Sequence, residues 1–544
     1  MSVLQPTETP RTPPVSDPRI TALPERVRRG APVWAAAGTA LLLGLLWAGT
    51  IAKVTGDLAA QWAWADFAAR HPGSSYDLGW YGGMYPASYS VVAPYLMGLL
   101  GVRTVAVTAG TVSAALLAVL VLRSGVRRPL PVALWGAFAL SCDVAAGRVT
   151  FALGLMFGLA SVVVSGTDRA AGWRRTAGAA ALALLATMAS PVAGLFVEVA
   201  AAALLFTGRR RTGVALAVPP PLLILLTTLL FPFAGVDPIT VPTVVFSGGC
   251  AVAVALLMPA QWRALRVGAV VYAVGTVLTW SFSTPIGGNV QRLALLFGGV
   301  AVLAALFAAP ARSRRRTVAL LLAFTATAYW TVTANVIGIP APSAPGQADG
   351  LVAELRLLHA DQARVEAVPM QNHWESWGLV GSAELARGWN RQLDVRRNPL
   401  FYNGTLTPAS YHAWLRQWAV RYVALPDAAL DLAGKREAAL VRSGPAWLRE
   451  VWHDHDWTLY RFTDALPLAA APAVVERADA AQVVLTVPAA GSVTVRLTWS
   501  PWLDVRGPGG ACLAKDGDWT RLDVHAAGTY RISSDYSWPR GTPC

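Results

Sequence analysis

Residues 294–309, ALLFGGVAVLAALFAA, contain no charged side chain. A helix that crosses a bilayer needs about 20 predominantly apolar residues, and this run with its neighbours supplies them. Similar runs recur between residues 33 and 340, for example TAGAAALALLATMA at 176–189. The repetition of such runs predicts a polytopic α-helical membrane protein.

The composition divides the chain into two parts. Of its 544 residues, 54% are hydrophobic and only 14% are charged, and the mean hydropathy is +0.45. A soluble domain has about a quarter charged residues. Residues 341–544 have that ordinary globular character, whereas residues 33–340 do not. We therefore expect a membrane part followed by a folded C-terminal part.

The apolar runs predict eleven spans, at 33–53, 103–122, 130–146, 149–166, 174–190, 193–207, 213–232, 240–258, 267–283, 290–309 and 317–338. Arginines cluster in every second connector, beginning with Arg123, Arg127 and Arg128. By the positive-inside rule these connectors and the N-terminus are cytoplasmic, and residues 341–544 are extracytoplasmic. The net charge of +14 follows from this pattern, so nucleic acid is not an expected partner.

Four segments are expected. Residues 1–32 are Pro-rich and polar and predict a disordered cytoplasmic tail. Residues 33–340 form the transmembrane domain, with a long outer loop and interfacial helices at 54–102. Residues 341–460 mix helical and strand patterns and predict an α/β region. Residues 461–544 alternate at period two, as in QVVLTVPA and SVTVRLTW, and predict a β-sandwich.

The first outer loop is GDLAAQWAWADFAARHPGSSYDLGWYGGMYPASYS, residues 56–90. It is far longer than a plain connector needs to be. Asp57 stands at the membrane boundary, where a carboxylate is solvated, paired or functional. A solvated helix end is the structural alternative. The Trp and Tyr residues suit either an interfacial belt or stacking on the apolar face of a sugar.

The Gly56–Asp57 position, this loop and two later stretches resemble the GT-C superfamily of integral-membrane glycosyltransferases. The later stretches are RVEAVPMQNHWESWGLVGSAELARGWNRQLD (364–394) and VRYVALPD (420–427). The resemblance implies inverting transfer of a hexose or pentose from a polyprenyl phosphate to a cell-envelope glycan or glycolipid. The reaction would take place on the outer face of a bacterial plasma membrane, in contact with its lipids. Asp57 matches the general base of the family.

Further site residues are expected around Asp57. Arg148, Arg292 and Arg103 are candidates to hold the donor phosphate, with snorkelling to lipid headgroups as the alternative. The candidate substrate-binding residues are Gln61, Trp80, Tyr81, Tyr85, Asn289, Gln291, Glu198, His373 and Glu375. Glu198 lies within a predicted span, and a packed loop is the alternative for His373 and Glu375.

No cofactor is expected, and the scattered outer acids, without a D-x-D pair, favour no metal over a divalent ion. Cys512 and Cys544 lie in the part predicted to be outside, where they can form a disulfide or remain free. A multi-span transporter or lipid flippase is the alternative function, and for it Glu198 would be a proton-coupling residue. A non-catalytic envelope scaffold is a third reading.

Overall fold

The computed structural model describes residues 25–52, 56–166, 172–308, 313–337 and 348–544. Among the described residues, those up to 337 form a bundle of helices. All the named strands lie in residues 348–544, which we call the C-terminal half. The bundle helices are, in chain order, α1 (Glu25–Gly49), α2 (Gly56–Arg70), α3 (Pro86–Tyr89), α4 (Ala93–Leu100), α5 (Val102–Arg123), α6 (Pro129–Ala145), α7 (Val149–Ser165), α8 (Trp173–Ala189), α9 (Pro191–Phe206), α10 (Arg210–Ala217), α11 (Pro219–Leu230), α12 (Val241–Leu257), α13 (Arg263–Ser281), α14 (Arg292–Phe307) and α15 (Arg314–Val332). The predicted tail, residues 1–32, lies mostly outside the described residues.

Among the described residues, six helical segments are long and apolar enough to cross a membrane. They are Gly30–Gly49, Val102–Arg123, Arg210–Leu230, Arg263–Ser281, Gly287–Phe307 and Arg314–Ile337. Four shorter apolar helices are Pro129–Ala145, Val149–Ser165, Pro191–Phe206 and Val241–Leu257. Each of the eleven predicted segments contains a helix, but a count of eleven crossings stays a prediction.

The outward surface of the bundle is apolar. Four leucines on α11 are each more than half exposed: Leu222, Leu225, Leu226 and Leu229. A contiguous apolar face of this kind is unfavourable in water and suits acyl chains. The long apolar helices and their exposed leucines therefore indicate a membrane protein.

The two ends of the bundle differ in chemistry. At one end, arginines of the predicted cytoplasmic connectors donate to carbonyls near helix C-termini. Arg123 donates to the carbonyl of Val163 in α7, and Arg266 Nε donates to that of Ala255 in α12 at 2.9 Å. Such bonds satisfy carbonyls that have no partner within their helix. At the other end, α2 and the loop before α12 meet the C-terminal half of the chain.

The loop that contains α2, α3 and α4 is enclosed. Leu58 and Ala65 of α2 pack into the bundle, while Ala60 and Trp64 pack into the core of the C-terminal half. Small alanines allow α2 to pack closely on both of its sides, between the bundle and the C-terminal half. The apolar residues of α2 are spread around the helix and are not confined to one face. The interfacial position of the helices at 54–102 stays a prediction.

The C-terminal half begins with a five-stranded sheet. Its strands are β1 (Arg364–Ala367), β2 (Glu384–Leu385), β3 (Val420–Pro426), β4 (Leu448–His453) and β5 (Trp457–Phe462), in the order β2-β1-β3-β5-β4. β1 is parallel to β2 and β3, and all four of its residues are buried, as expected for a parallel strand between layers. The accompanying helices are α16 (Asp349–Leu357), α17 (Glu375–Gly378), α18 (Arg391–Arg397), α19 (Pro408–Gln417) and α20 (Leu432–Arg442).

Two further sheets follow. Their strands are β6 (Val474–Asp479), β7 (Gln482–Val487), β8 (Gly491–Thr498), β9 (Leu503–Arg506), β10 (Ala511–Asp516), β11 (Trp519–Val524) and β12 (Gly528–Ser534). The sheet orders are β10-β11-β8 and β6-β7-β12-β9, and both sheets contribute to one apolar core. Burial alternates along β7 and β11, which confirms the predicted β-structure of this region. A disulfide joins Cys512 and Cys544.

Candidate functional site

A polar hollow of about 540 Å³ lies where the bundle meets the C-terminal half. Five parts of the chain form it: α2, the end of α3, the loop before α12, the 3-10 turn that leads into α14 with the first residue of that helix, and the start of α18 with the two residues before it. Its lining residues are Asp57, Ala60, Gln61, Trp64, Tyr89, Asp237, Asn289, Arg292, Trp389, Asn390, Arg391 and Gln392. Two carboxylates, four amides and two tryptophans therefore face one space.

Asp57 lies in the first turn of α2, where the partial positive charge of the helix N-terminus favours an anion. Its Oδ2 is 3.4 Å from Nε of Arg148, and 37% of its side chain is exposed. Gly147, with a φ of +80°, precedes that arginine and brings its backbone against Leu58, since a Cβ there would be 2.9 Å from the Leu58 nitrogen. The glycine therefore allows the connector to reach α2.

Arg148 is held by two other side chains besides Asp57. One terminal nitrogen donates to Oδ1 of Asp143 at 3.1 Å and to Oδ1 of Asn335 at 2.7 Å. Asn335 is buried within a π-helical turn, Thr333–Ile337, and its amide nitrogen donates to a backbone carbonyl at 3.0 Å. That bond turns the amide oxygen toward the guanidinium. The charge of Arg148 is therefore largely neutralised by neighbouring acids.

The guanidinium of Arg292 differs from that of Arg148 in having no ion pair or hydrogen bond within the part of the chain that the structure describes. Its guanidinium carbon lies 4.9 Å from the ring centroid of Phe151. A cation over an aromatic face is held in place electrostatically, yet its N–H groups stay available. Arg292 therefore presents free donors to the polar hollow.

Asp237 contributes the second carboxylate of the polar hollow. Its Oδ2 accepts from the backbone of Gly288 at 2.9 Å and from the amide of Asn289 at 3.5 Å. The loop is also joined to the C-terminal half, because the nitrogen of Val236 donates to the carbonyl of Gln392 at 2.9 Å. Partial burial raises the pKa of Asp237 above its usual value.

Residues 389–392 form the wall on the side of the C-terminal half. The indole of Trp389 stacks on the imidazole of His373, with 3.4 Å between ring centroids and 10° between planes. The guanidinium carbon of Arg391 lies 5.3 Å from the Trp389 ring, and its terminal nitrogen is 3.2 Å from Oδ2 of Asp431. The indole is thus fixed, and the charge of Arg391 is already paired.

An apolar cleft of about 1590 Å³ adjoins the polar hollow. Its lining residues are Ser88, Tyr89, Ser190, Pro191, Val192, Leu195, Glu198, Pro220, Pro221, Ile224, Thr227, Thr228, Phe231, Phe233, Pro285, Ile286, Asn289, Arg292 and Gln392. Four of these also line the hollow: Tyr89, Asn289, Arg292 and Gln392. The unpaired guanidinium of Arg292 therefore stands at the junction between an apolar space and a polar one.

Three of the predicted substrate-binding residues lie on these two spaces. Gln61 lines the hollow and accepts from the backbone of Thr150 at 3.2 Å. Asn289 lines both spaces. Glu198 lines the cleft, and its Oε1 is buried without a hydrogen-bond partner among the described residues.

Three predicted aromatic residues are instead part of the protein core. Trp80 Nε1 donates to the carbonyl of Ser376 at 3.0 Å, and the hydroxyl of Tyr85 donates to Oγ of Ser500 at 2.8 Å. The hydroxyl of Tyr81 donates to a backbone carbonyl at 2.6 Å. All three side chains are buried, so they join the loop to the C-terminal half and are not free to bind a substrate.

The remaining predicted residues do not line the hollow. The guanidinium of Arg103 lies 5.9 Å from the ring of Trp62, at the start of α5. Gln291 ends the 3-10 turn beside Asn289 without facing either space. His373 and Glu375 are buried and 3.3 Å apart, so they support Trp389 from behind. His373 and Glu375 therefore belong to a packed loop, which was the alternative to a substrate-binding role.

A domain of unknown function, DUF8823, matches residues 470–514 and 508–544. No curated protein matches the chain. A single-particle cryo-EM structure of arabinofuranosyltransferase AftD from Mycobacteria is similar at a TM-score of 0.46 and 16% identity, over 81% of this chain. A second structure, of a variant of that enzyme, has a TM-score of 0.46 and 13% identity over 94%. The chain spans 40% and 60% of the lengths of those two chains.

Three parts of the site were not predicted. Asp237 stands in FAGVDPIT, a predicted outer connector with a polar group beside proline, and that pattern alone was a signal. Asn335 lies near the end of a long apolar run, and nothing in the spacing of the residues around it indicates that its amide is buried beside Arg148. Residues 389–392 lie far along the chain, and only the tertiary fold brings them to α2.

The hollow contains two acids: Asp57 is close to the guanidinium of Arg148, and Asp237 accepts from the backbone of Gly288. Within the described residues, the one group of three potential metal-binding side chains is Cys512, Asp523 and Cys544, and two of these form the disulfide. The lack of a metal in the reaction stays a prediction.

Proposed function

We propose that this chain is a membrane glycosyltransferase that transfers a sugar from a polyprenyl phosphate to a cell-envelope glycan or glycolipid. The observation that carries the proposal is the position of Arg292. It is an unpaired guanidinium at the junction of an apolar cleft and a hollow that also contains the exposed carboxylate of Asp57. A polyprenyl-phosphate sugar has matching parts: an apolar chain for the cleft, a charged phosphate for Arg292, and a polar sugar for the hollow.

The donor lipid occupies the apolar cleft in this proposal. Its hydrocarbon chain contacts the apolar residues of α9 and α11, which line the cleft. Its phosphate accepts hydrogen bonds from Arg292, since a planar guanidinium can bind two phosphate oxygens at once. The sugar then extends into the hollow, where amides, carboxylates and tryptophans are suited to hydroxyl groups and to the apolar face of the ring.

Asp57 acts as the general base. The acceptor hydroxyl attacks the anomeric carbon while its proton passes to the carboxylate of Asp57. The bond between the anomeric carbon and the phosphate oxygen breaks, and the lipid phosphate leaves with the electron pair. Attack from the face opposite the leaving group inverts the configuration. Arg292 stabilises the negative charge on the leaving phosphate, and Arg148 orients Asp57.

The membrane arrangement belongs to the same proposal. Eleven crossings put the arginine-rich connectors and the N-terminus in the cytoplasm, and the hollow and residues 348–544 on the outer face of a bacterial plasma membrane. No cofactor is required for this reaction. The donor is the polyprenyl-phosphate sugar itself, and a divalent metal is the less favoured alternative.

The test uses the full chain in lipid nanodiscs with a panel of pentosyl and hexosyl polyprenyl phosphates and an envelope glycan preparation. The readout is the release of free polyprenyl phosphate. Asp57→Asn should lower turnover by about 10²–10⁴-fold, because a general base contributes about that much. Asp66→Asn is the matched control, since Asp66 lies on the same helix, is exposed and pairs with Arg70 outside the hollow. Normal turnover in Asp57→Asn would overturn the proposed base.

A lipid flippase would also have an apolar cleft with a cationic junction. It would move the intact donor across a vesicle bilayer and release no polyprenyl phosphate. Translocation without release, unaffected by Asp57→Asn, would therefore favour the transporter and contradict the enzyme.

A further inference from the structure

The loop between β8 and β9 lies against the end of a candidate membrane span. The indole nitrogen of Trp502 donates to the carbonyl of Leu230, the last residue of α11, at 2.7 Å. The Trp502 ring also stacks on Phe231, with 5.1 Å between centroids and 18° between planes. Since Arg210–Leu230 is long and apolar enough to cross a membrane, this contact sets the level of the loop at one end of a span.

A second contact fixes the segment after β12 beside the same end of α11. The backbone of Tyr536 donates to the carbonyl of Gly73 at 3.0 Å, and its ring lies 5.9 Å from that of Phe231. Nearby, α4 leads into the spanning helix α5, and its residues Leu99 and Leu100 are 79% and 55% exposed. The helices α11 and α4, both with exposed leucines, thus lie beside these two segments.

We call Trp502, Tyr536, Trp538 and Arg540 the aromatic tip. Trp538 is 76% exposed. The guanidinium carbon of Arg540 lies 5.5 Å from the Trp538 ring and 5.7 Å from the Trp502 ring. Arg540 has no ion pair or hydrogen bond to any residue that the structure describes. Exposure of so large an apolar ring to water is unfavourable, and the neighbouring guanidinium has its N–H groups available for an anionic partner.

We propose that the aromatic tip is a membrane-binding surface that enters the interface of a phospholipid bilayer. Trp538 lies at the boundary of headgroups and acyl chains, which is the environment that indole prefers. Arg540 binds a phospholipid phosphate, while its carbon stem stays in apolar contact. The tip contacts the end of α11 through Trp502, and Tyr536 lies beside Tyr95 of α4. Both helices have exposed leucines, which is why lipid, and not another protein, is the expected occupant.

This surface goes beyond the proposed transferase activity and does not depend on it. It gives the β-structure a fixed position at the bilayer through a contact separate from the spans. Phe231, which the tip packs against, also lines the apolar cleft. The tip therefore supports the cleft wall from the side of the membrane interface.

The test measures the depth of position 538 in the membrane. The full chain carries Trp538→Cys with Cys142→Ala and Cys250→Ala, which replace the two free, buried cysteines. The new thiol is labelled with bimane, and the protein is reconstituted in vesicles of phosphatidylcholine and phosphatidylglycerol with brominated acyl chains. Bromine atoms quench the label only at short range, so quenching is expected at position 538.

The control is Ala490→Cys in the same background. Ala490 is exposed in the turn after β7, and β7 pairs with the far end of β12, where Gly528 lies opposite Val487. The six steps along β12 to Ser534 place the control roughly 20 Å from the tip. Its label should show little quenching. Equal quenching of the label at both positions would overturn the membrane-binding surface. So would bimane emission at position 538 that is the same with and without bromine in the acyl chains and changes only with the amount of protein per vesicle, since that would indicate contact between protein copies.

Discussion

Two arginine clusters in this molecule have similar components and different surroundings. Arg148 lies between Asp57 and Asp143, with 17% of its side chain exposed. Arg387 lies between Glu366 and Glu437, and all three of these side chains are at most 2% exposed. Both clusters combine groups from separate parts of the chain. One opens on the polar hollow, and the other is closed to solvent.

The closed cluster has a structural consequence for the open site. Nε and a terminal nitrogen of Arg387 donate to Oε1 of Glu366 at 2.9 and 2.6 Å, and its guanidinium carbon lies 3.7 Å from the ring of Phe401. Burial raises the pKa of Glu366 and of Glu437 above the usual range. Since only Gly388 separates Arg387 from residues 389–392, the closed cluster helps to fix the backbone that lines the hollow. The comparison shows that accessibility, and not composition, separates a binding site from its support.

The largest expected effect is on stability. Arg387→Gln leaves two buried acids without their cation, and breaking a buried pair costs about 3–5 kcal/mol. Arg148→Gln should cost less, because Asp57, one of its two acids, is 37% exposed and can be solvated by water, although Asp143 is buried. Thermal unfolding of both variants in the same detergent measures the difference. Equal losses in melting temperature would contradict the distinction between the two clusters.

The next effect is on the donor. Arg292→Gln should weaken binding of a polyprenyl-phosphate sugar by about ten- to a hundredfold, since hydrogen bonds to charged groups are worth about 1.5–3 kcal/mol. Arg103→Gln is the control, because Arg103 contacts Trp62 and does not line the hollow. Binding measured by competition with a fluorescent lipid phosphate separates the two. Similar affinities for both variants would remove Arg292 from the phosphate site.

A smaller effect concerns positioning. Asn335→Ala removes the oxygen that accepts from Arg148 at 2.7 Å, so Asp57 loses part of its orientation. We expect kcat to fall by about tenfold, as for the loss of one hydrogen bond to a charged group, with little change in the KM for the donor. Asn335→Asp keeps an acceptor oxygen and should retain most of the turnover. A fall in both variants to the same level would indicate a general disturbance of the π-helical turn.

The smallest effect is a pH dependence. Burial raises the pKa of Asp237, so its carboxyl is neutral over a wider acidic range than usual. Below that pKa it does not repel a phosphodiester, and donor binding should weaken as pH rises through it. Asp237→Asn should bind independently of this titration and, on the alkaline side, about threefold more tightly, as for a screened charge pair worth under 1 kcal/mol. An unchanged pH profile in the variant would exclude this carboxyl.

The sequence allowed some of these features to be predicted and not others. Local patterns predicted the helices, because apolar runs of span length specify them, and β7 and β11, because period-two alternation needs only neighbouring residues. Asp57, Arg292 and Asn289 stand at or near predicted span ends and Gln61 in the first outer loop, so connector chemistry was enough to make them candidates; the structure shows that all four line the hollow, and their roles stay predictions.

The remaining features depend on long-range contacts. Trp80 sits in a turn-rich stretch typical of an accessible loop, and only the C-terminal half, nearly 300 residues later, covers it. Asn335 has a role only because Arg148 approaches it from another helix. No spacing within either stretch carries that information.

The loop between the first two spans also has a consequence for how the protein comes apart. Trp80 fills space against Gly388, and Tyr76 and Tyr85 belong to the same apolar core as Leu485 and Ile532. Residues 348–544 therefore complete their interior with side chains from elsewhere in the chain. Produced as a fragment, they would expose unfilled sockets and self-associate, and in the intact protein the two halves should melt in a single cooperative transition.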